Sequence, residues 1–168
     1  MRDLFDAVAQ GYDVAVGSRF SRHSVLLNYP FLKIVANRAF HTLAQLILLA
    51  RFRDLTNNLK LMRREVVKNL VLLEAGFAIN AETGLQPLLM GYSVKEVPIS
   101  WIGRGIDMGT SSFRVFKIGG GYRRVLCGLW LKRFLGIGRY RALPVKLERP
   151  KDERGVFVER LRRISTVR

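Results

Sequence analysis

Two arginines of the sequence come shortly after segments that are predicted to be strands. Arg19 follows the apolar run 13–17, and Arg104 follows the segment 92–101. A guanidinium group donates two parallel hydrogen bonds to a phosphate, and strand ends are where sheet-based active sites collect their ligands. We therefore expect both arginines to bind a phosphate, with a solvated loop position as the alternative. For Arg22 the two interpretations are evenly balanced.

The charge of the chain is unevenly distributed. The formal net charge is +16, and residues 103–168 carry 17 Lys and Arg against 5 Asp and Glu, whereas residues 1–102 carry 12 against 8. Such a basic half attracts anions, which include nucleic acid, acidic lipid headgroups and phosphorylated substrates. A merely solvated basic surface is the alternative, but it does not explain why the charges are segregated.

Length and composition indicate one globular domain. The chain has 168 residues, of which 49% are hydrophobic and 25% charged, so disorder throughout is excluded. No stretch approaches the roughly 20 apolar residues that span a bilayer, and we expect the chain to lie on a membrane instead of crossing it. The single cysteine, Cys127, excludes an internal disulfide and is expected to be a buried apolar residue. His23 and His41 are too isolated to suggest a metal site.

Alternating strand and helix patterns predict the elements that position these groups. Strands are predicted at residues 13–17, 58–62 and 92–101, and helices at 3–10, 30–49, 64–74 and 81–90. This alternation predicts an α/β sheet with flanking helices. Three strands are few for such a sheet, so we expect a piece of it to be missing from the sequence.

Residues 111–141 are predicted to form basic amphipathic helices, interrupted at residues 119–121 by three glycines. Aromatic and leucine side chains that alternate with cations at helical spacing are typical of a helix at a membrane surface. A core helix with a basic solvent face fits the pattern equally well. The cations predicted to meet the membrane are Arg123, Arg124, Lys132 and Arg133. Residues 142–168 are predicted to be a basic, loosely ordered tail.

Four segments, in one order over residues 3–135, resemble a known family. They are residues 13–19, ending in Gly17-Ser18-Arg19; Asn37 in the long helix; residues 54–60 (Asp-Leu-Thr-Asn-Asn-Leu-Lys) with 63–66 (Arg-Arg-Glu-Val); and the series Gly76-Phe77, Glu82, Gly91-Tyr92, 96–99 (Glu-Val-Pro-Ile), Arg104 and 109–113 (Gly-Thr-Ser-Ser-Phe). Together they are similar to family-2 glycosyltransferases of the GT-A fold, in particular the dolichyl- or polyprenyl-phosphate sugar synthases. Asn58 stands where that family usually has Gly, but Asn tolerates positive φ better than most residues.

The resemblance implies that residues 1–110 are the C-terminal, acceptor-side part of a GT-A domain. Intact relatives would transfer a sugar from a nucleotide-sugar donor to a polyprenyl phosphate or another membrane-associated acceptor, with inversion and with Mg²⁺ or Mn²⁺. Glu82 would be the catalytic carboxylate. The alternative is a structural role, in which a carboxylate in the first turn of its helix interacts favourably with the helix dipole. The residues that would bind the acceptor phosphate are Arg19, Arg104, Ser111 and Ser112.

The family's donor and metal motif, Asp-x-Asp, does not occur in the sequence. We therefore expect no metal site or cofactor in this chain, and a donor half supplied from elsewhere, a separate polypeptide being one source. The chain alone is expected to be an inactive part of a hexosyltransferase. Its expected place is the cytoplasmic face of a membrane, in cell-envelope synthesis and against an anionic lipid surface.

Two other functions remain open at this point. A basic nucleic-acid-binding module would use the positive C-terminal part, but the sequence has no recognisable recognition motif, so nucleic acid is not the expected partner. A non-enzymatic membrane-surface protein would have kept the fold after losing the donor half.

Overall fold

The computed structural model describes residues 1–102 and 115–145. Its elements are, in order, α1 (Arg2–Ala9), β1 (Val14–Ser18), β2 (Leu26–Leu27), α2 (Phe31–Leu48), β3 (Lys60–Met62), α3 (Arg64–Lys68), a 3₁₀ turn (Gly76–Ala78), α4 (Ile79–Leu89), β4 (Val94–Pro98), β5 (Trp101–Ile102) and α5 (Val115–Leu135). Over the described part of the chain, none of these helices is both long and apolar enough to cross a bilayer.

A mixed sheet lies at the centre, with β1 between its two neighbours. The strand order is β3-β1-β4; β1 runs antiparallel to β3 and parallel to β4, with Val14 opposite both Met62 and Val94. All five residues of β1 are buried, as a strand covered on both faces requires. The prediction of an α/β sheet with flanking helices is confirmed.

The two faces of β1 pack against different helices. Val14 and Val16 belong to the main core, which they share with Leu48 of α2, Leu85 of α4 and Leu129 of α5. Ala15 points to the other face, where it packs with Leu4 and Ala7 of α1. This alternation follows from the two-residue period of a strand.

The long strand predicted at residues 92–101 is divided in two. β4 ends at Pro98, which cannot donate a ladder hydrogen bond, and the chain then joins a second sheet in which Trp101 pairs with Leu26 in parallel. This two-residue ladder of β2 and β5 was not predicted, because such short strands have no periodicity to detect.

The helix predicted at residues 64–74 ends early, at Lys68. Side chains of α4 hold the backbone that follows. Gln86 accepts from Val71 N and donates to Val71 O, both at 2.8 Å, and the Glu82 carboxylate accepts from Leu73 N at 2.9 Å and Glu74 N at 3.1 Å. These bonds satisfy backbone groups that a helix would otherwise pair, so the segment remains irregular.

The predicted interruption at residues 119–121 is wrong, because α5 continues through all three glycines. A Cβ atom on Gly121 would lie 2.7 Å from the Cβ of Ala78 in the 3₁₀ turn. Glycine at this position therefore permits close packing of α5 on that turn, and it does not break the helix. The expected burial of Cys127 is also wrong, because this residue lies on the exposed side of α5.

Candidate functional site

A buried ion pair lies at the carboxyl end of the central strand. Arg19 follows β1 directly, and its Nε and Nη2 donate to Oδ2 and Oδ1 of Asp54 at 2.7 and 2.9 Å. Arg19 N donates to the same carboxylate at 3.0 Å. The Asp54 side chain is fully buried and that of Arg19 is 11% exposed. Asp54 therefore holds Arg19 through three hydrogen bonds that fix the arginine at the strand end.

The charge of Arg19 determines the ionisation of Asp54. Burial by itself would raise the pKa of the Asp54 carboxyl, but the hydrogen bonds and the charge of Arg19 outweigh burial and lower it below its usual value. For Arg19, burial would lower the pKa, whereas the Asp54 carboxylate raises it. Both groups are charged near neutral pH.

The outer nitrogen of Arg19 points away from this pair. Nη1 lies 3.1 Å from the Tyr29 hydroxyl, and the guanidinium lies within 6.0 Å of the centres of the Phe20 and Tyr29 rings. Two of the arginine's three nitrogens are thus directed at Asp54. The phosphate-binding role of Arg19 stays a prediction, and Nη1 is the nitrogen directed away from the ion pair.

Glu96 holds the chain that carries Asp54. Its carboxylate accepts hydrogen bonds from Arg53 N at 2.9 Å and from Asp54 N at 2.5 Å. Burial raises the pKa of Glu96, and these backbone hydrogen bonds only partly oppose it. A residue of β4 therefore positions the aspartate that in turn positions Arg19.

His41 of α2 is packed beside the same aspartate and is fully buried. Leu55 N donates to Nε2 at 3.2 Å, so the ring proton lies on Nδ1, which donates to Asn37 O at 2.8 Å. Burial lowers the pKa of His41 despite the Asp54 charge, and the ring is neutral. His41 therefore contributes to the packing around Asp54 as a neutral hydrogen-bonding group.

Several polar side chains lie around the Arg19–Asp54 pair, and not all of their hydrogen-bonding atoms have partners. Asn37 Nδ2 lies 3.4 Å from Thr56 Oγ1, and Thr56 also hydrogen-bonds Tyr122, whose pKa burial raises to about 12. Within the described ranges, the buried atoms Ser18 Oγ and Asn37 Oδ1 have no hydrogen-bond partner. Buried polar atoms are normally paired. The Ser18 hydroxyl can donate to a bound water, hydroxyl or phosphate, whereas the amide oxygen of Asn37 can only accept a hydrogen bond, as from a water or hydroxyl.

Lys60 was not identified by sequence reasoning. Its Nζ donates to Asn80 O and to Thr83 Oγ1, each at 2.8 Å, which joins β3 to α4. Burial lowers the pKa of Lys60 to about 7, although Asp54 opposes the shift. Lys60 is the last residue of the motif segment 54–60, which was its only sequence signal.

Glu82 is buried in α4 and faces the C-terminal part of the described chain. Its Oε1 accepts from the Tyr140 hydroxyl at 2.7 Å, in addition to the two backbone donors described above. Burial and this carboxylate raise the pKa of Tyr140 well above its usual value. These hydrogen bonds join Glu82 to the 70–75 segment and to Tyr140 instead of to Arg19. Its catalytic role stays a prediction.

The cations of α5, and of the residues that follow it, mostly contact groups of the protein. Arg124 and Arg139 both pair with Glu74, at 2.9 and 2.5 Å, and Lys132 donates to Arg141 O at 2.7 Å. Arg133 is 8% exposed and donates to the backbone oxygen of Leu48. Arg123 is exposed. The proposed contact of these cations with a membrane stays a prediction.

The other predicted site residues, Arg104, Ser111 and Ser112, lie outside the described residues. A divalent metal does not fit the residues that the structure does describe. Among them, no three His, Cys, Asp or Glu side chains come together. The two nearby carboxylates are already engaged, Asp54 by Arg19 and Glu96 by backbone N–H groups.

Comparison with known proteins supports the resemblance predicted from the motifs. The chain is 29% identical to a polyprenol monophosphomannose synthase of Mycolicibacterium smegmatis over 112 residues, which are 65% of this chain and 42% of that protein. It is 31% identical to a dolichyl-phosphate hexose transferase of Haloferax volcanii over 98 residues, 58% of this chain and 42% of that protein. No protein-family model matches the chain.

These similarities confirm that the chain resembles the polyprenyl- and dolichyl-phosphate sugar transferases. The matched region spans about two fifths of the length of each relative, 42% in both cases.

Proposed function

We propose that this chain is the acceptor-side part of a glycosyltransferase that attaches a sugar to a polyprenyl phosphate. The observation that carries the proposal is the polar centre at the carboxyl end of β1, which we define by Arg19, Asp54, Glu96 and His41. Arg19 and Asp54 belong to two of the segments that resemble the sugar synthases. Strand ends of this kind are where α/β sheets bind ligands. The names of the two relatives supply the class of acceptor.

The proposed reaction forms a bond between the acceptor phosphate oxygen and the anomeric carbon of the sugar, while the nucleoside diphosphate leaves from the opposite face. A phosphate monoester has its second pKa near ~6, so the acceptor is already a nucleophile at neutral pH. A strong general base is then unnecessary. The hydrogen bonds that Glu82 accepts from Leu73 N, Glu74 N and Tyr140 favour a positioning role for this carboxylate.

The nucleotide-sugar donor and its Mg²⁺ or Mn²⁺ belong, in this proposal, to sequence outside this chain. Arg19, Arg104, Ser111 and Ser112 would contact the acceptor phosphate. The complete enzyme would work peripherally at the inner face of a membrane, in cell-envelope synthesis. Residues 14–53 contain six Lys and Arg and no Asp or Glu, and the C-terminal part is also basic. Both features support a location near anionic lipid.

The proposal is tested by acceptor binding to the purified chain. We expect farnesyl phosphate to bind more tightly than farnesol by at least about tenfold, the order expected when one charge-assisted phosphate contact is lost. Titration followed by NMR or calorimetry measures this difference. Equal binding of both compounds, or tighter binding of DNA than of the lipid phosphate at physiological salt, would contradict the proposal.

The Arg104→Lys variant distinguishes a role in acceptor binding from a role in donor binding. It is made in this chain after the chain has been joined to the donor half of a relative. Lysine keeps the charge but loses the bidentate geometry. We expect weaker use of the acceptor and an unchanged affinity for the nucleotide, measured by acceptor-dependent kinetics beside nucleotide binding. Loss of nucleotide affinity with normal acceptor kinetics would assign Arg104 to the donor site instead.

A further inference from the structure

The outer face of α2 is apolar and exposed along its whole length. We define this face by Phe31, Leu32, Val35, Leu43, Leu46 and the following Leu49. The exposed fractions of these side chains are 78%, 61%, 46%, 50%, 68% and 63%. The opposite face carries the buried residues His41, Ala44 and Leu48. A helix of a monomeric domain normally exposes polar side chains on its outer face, so this face is built to be covered.

Apolar side chains are also exposed in segments that adjoin the two ends of the helix. At the N-terminal end, Leu27 and Ile102 are paired across β2 and β5 and are 52% and 72% exposed. At the C-terminal end, Arg133 of α5 donates to Leu48 O, which brings the neighbouring Phe134, 44% exposed, towards the end of α2. We call the outer face of α2 together with these exposed apolar side chains the apolar band.

The charges in the stretch of sequence that contains α2 have one sign. Residues 14–53 contain six Lys and Arg and no Asp or Glu. Arg51 and Arg53 are exposed directly after α2, and Arg22 is exposed before it. An apolar face flanked by cations fits an anionic lipid surface, where leucine and phenylalanine enter the acyl boundary and arginine meets the headgroups. A second copy of this chain, with its net charge of +16, would bring like charges against the same band.

The inner face of the same helix builds the polar centre. Asn37 and His41 of α2 contact Thr56 and Leu55, and Tyr29, just before the helix, lies against Arg19. We infer that α2 is the element that seats this protein on anionic membranes, with its outer face in the lipid and its inner face towards the acceptor phosphate. For its biological meaning this inference rests on the proposed lipid-linked acceptor. Vesicle binding, however, is measured without donor or acceptor, so the two proposals can fail separately.

The test compares three forms of the full chain in sedimentation with vesicles of phosphatidylglycerol and phosphatidylcholine. The Leu43→Ser/Leu46→Ser variant removes two leucines from the outer face of α2. The Leu72→Ser/Leu73→Ser variant removes two leucines of similar exposure, 47% and 46%, outside that face and is the matched control. We expect at least about tenfold weaker binding for the α2 variant and wild-type binding for the control. Raised salt should weaken the wild-type binding.

A second measurement keeps the test independent of variant folding. In a Cys127→Ser background, an environment-sensitive fluorophore on Leu46→Cys should shift to the blue when vesicles are added, whereas the same probe on Leu72→Cys should not. Equal vesicle binding by both double variants, no binding by the wild type, or an unshifted probe at position 46 would overturn the inference. Concentration-dependent dimers that dissociate in the α2 variant would also overturn it, and they would identify a second copy as the occupant.

Discussion

At the scale of single residues, the site depends on charges that are buried and paired. Arg19 and Asp54 compensate each other, Glu96 anchors the backbone beside them, and His41 is kept neutral. Each of these groups is costly to bury by itself, and the arrangement is stable because every charge has a partner or backbone donors. Lys60 is the exception, since its partners are a carbonyl and a hydroxyl instead of a carboxylate.

The Asp54→Asn variant should show how much the Asp54 carboxylate, as the partner of the buried Arg19 charge, contributes to the free energy of unfolding. Removing one member of a buried ion pair leaves the other charge uncompensated, and we expect a loss of about 3–5 kcal/mol in the free energy of unfolding. Because the pKa of Asp54 is lowered in the fold, this stabilisation is present above its ordinary pKa and is lost as the pH falls below that value. Urea unfolding measures the effect, with the exposed Asp6→Asn as control. A loss of unfolding free energy below about 1 kcal/mol would contradict this prediction.

Lys60 should make stability depend on pH in the alkaline range. Its folded pKa is about 7 and its unfolded value 10.5, so the unfolded chain binds more protons between these values and stability rises with pH across that interval. The Lys60→Met variant should lack this rise and be more stable than the wild type below pH 7. Urea unfolding across the interval measures it, and Lys68→Met, on the short helix α3, is the control. A wild-type stability that stays flat or falls there would contradict the prediction.

At the scale of elements, α4 organises the structure through its polar side chains. Glu82 and Gln86 both bind the backbone of residues 70–75, and Glu82 also binds Tyr140 beyond the end of α5. Glu74, in the same segment, pairs with Arg124 and Arg139. The described residues after α5, 136–145, are therefore held against the domain core by these contacts.

The link between Glu82 and Tyr140 is tested by a double-mutant cycle. Tyr140→Phe and Glu82→Gln should each cost about 1–3 kcal/mol of unfolding free energy, since each weakens a buried hydrogen bond to a carboxylate. Their effects should be coupled by at least about 0.5 kcal/mol. Tyr92→Phe, whose hydroxyl accepts an exposed bond from Asn69, is the control. Additive effects would show that the two side chains do not depend on each other.

Two glycines of α5, Gly119 and Gly121, should respond differently to alanine. At Gly121 a Cβ would lie 2.7 Å from Ala78, and we expect Gly121→Ala to destabilise by about 1–3 kcal/mol. Among the described residues, a Cβ on Gly119 would have no atom outside its own helix backbone within 4 Å, so Gly119→Ala should stabilise the helix by about 0.5–1 kcal/mol. Thermal unfolding of both variants measures the difference. If both variants were stabilised, close packing on the 3₁₀ turn would not be the reason for the glycine.

At the scale of the whole molecule, our proposals assign two functional surfaces to one small α/β domain. The polar centre lies at the carboxyl end of β1, and the apolar outer face of α2 lies on the far side of the helix that lines this centre. The matched region covers 42% of each relative, and donor binding is assigned by our proposal to sequence outside the chain. This division predicts acceptor binding without catalysis.

We accordingly expect the purified chain to transfer no sugar from nucleotide donors to farnesyl phosphate. The sequence has no Asp-x-Asp motif and the described residues contain no cluster of metal ligands, so we expect no metal to be held against the donor diphosphate. Radiolabelled donors measure transfer, with the Mycolicibacterium smegmatis relative as the positive control. Turnover by the chain alone would show that the division of labour is wrong.

Patterns that act locally were sufficient to predict the main elements. The buried strand β1, the long helix α2 and the three-stranded sheet follow from hydrophobic periodicity, which depends on neighbouring residues only. The four motif segments, taken together in one order, were sufficient for the resemblance, and the position of Arg19 directly after a predicted strand was sufficient for its choice. These features are written in short stretches of sequence.

Only the tertiary structure decided which groups meet. Asp54 lies 35 residues from Arg19, and no periodicity indicates that the two pair or that Lys60 is buried against α4. The irregular backbone after Lys68 and the unbroken α5 depend on partners far along the chain, Gln86 and Glu82 in one case and Ala78 in the other. Burial and long-range packing change the free energies of these groups by more than local propensity does, and for that reason the sequence alone could not predict them.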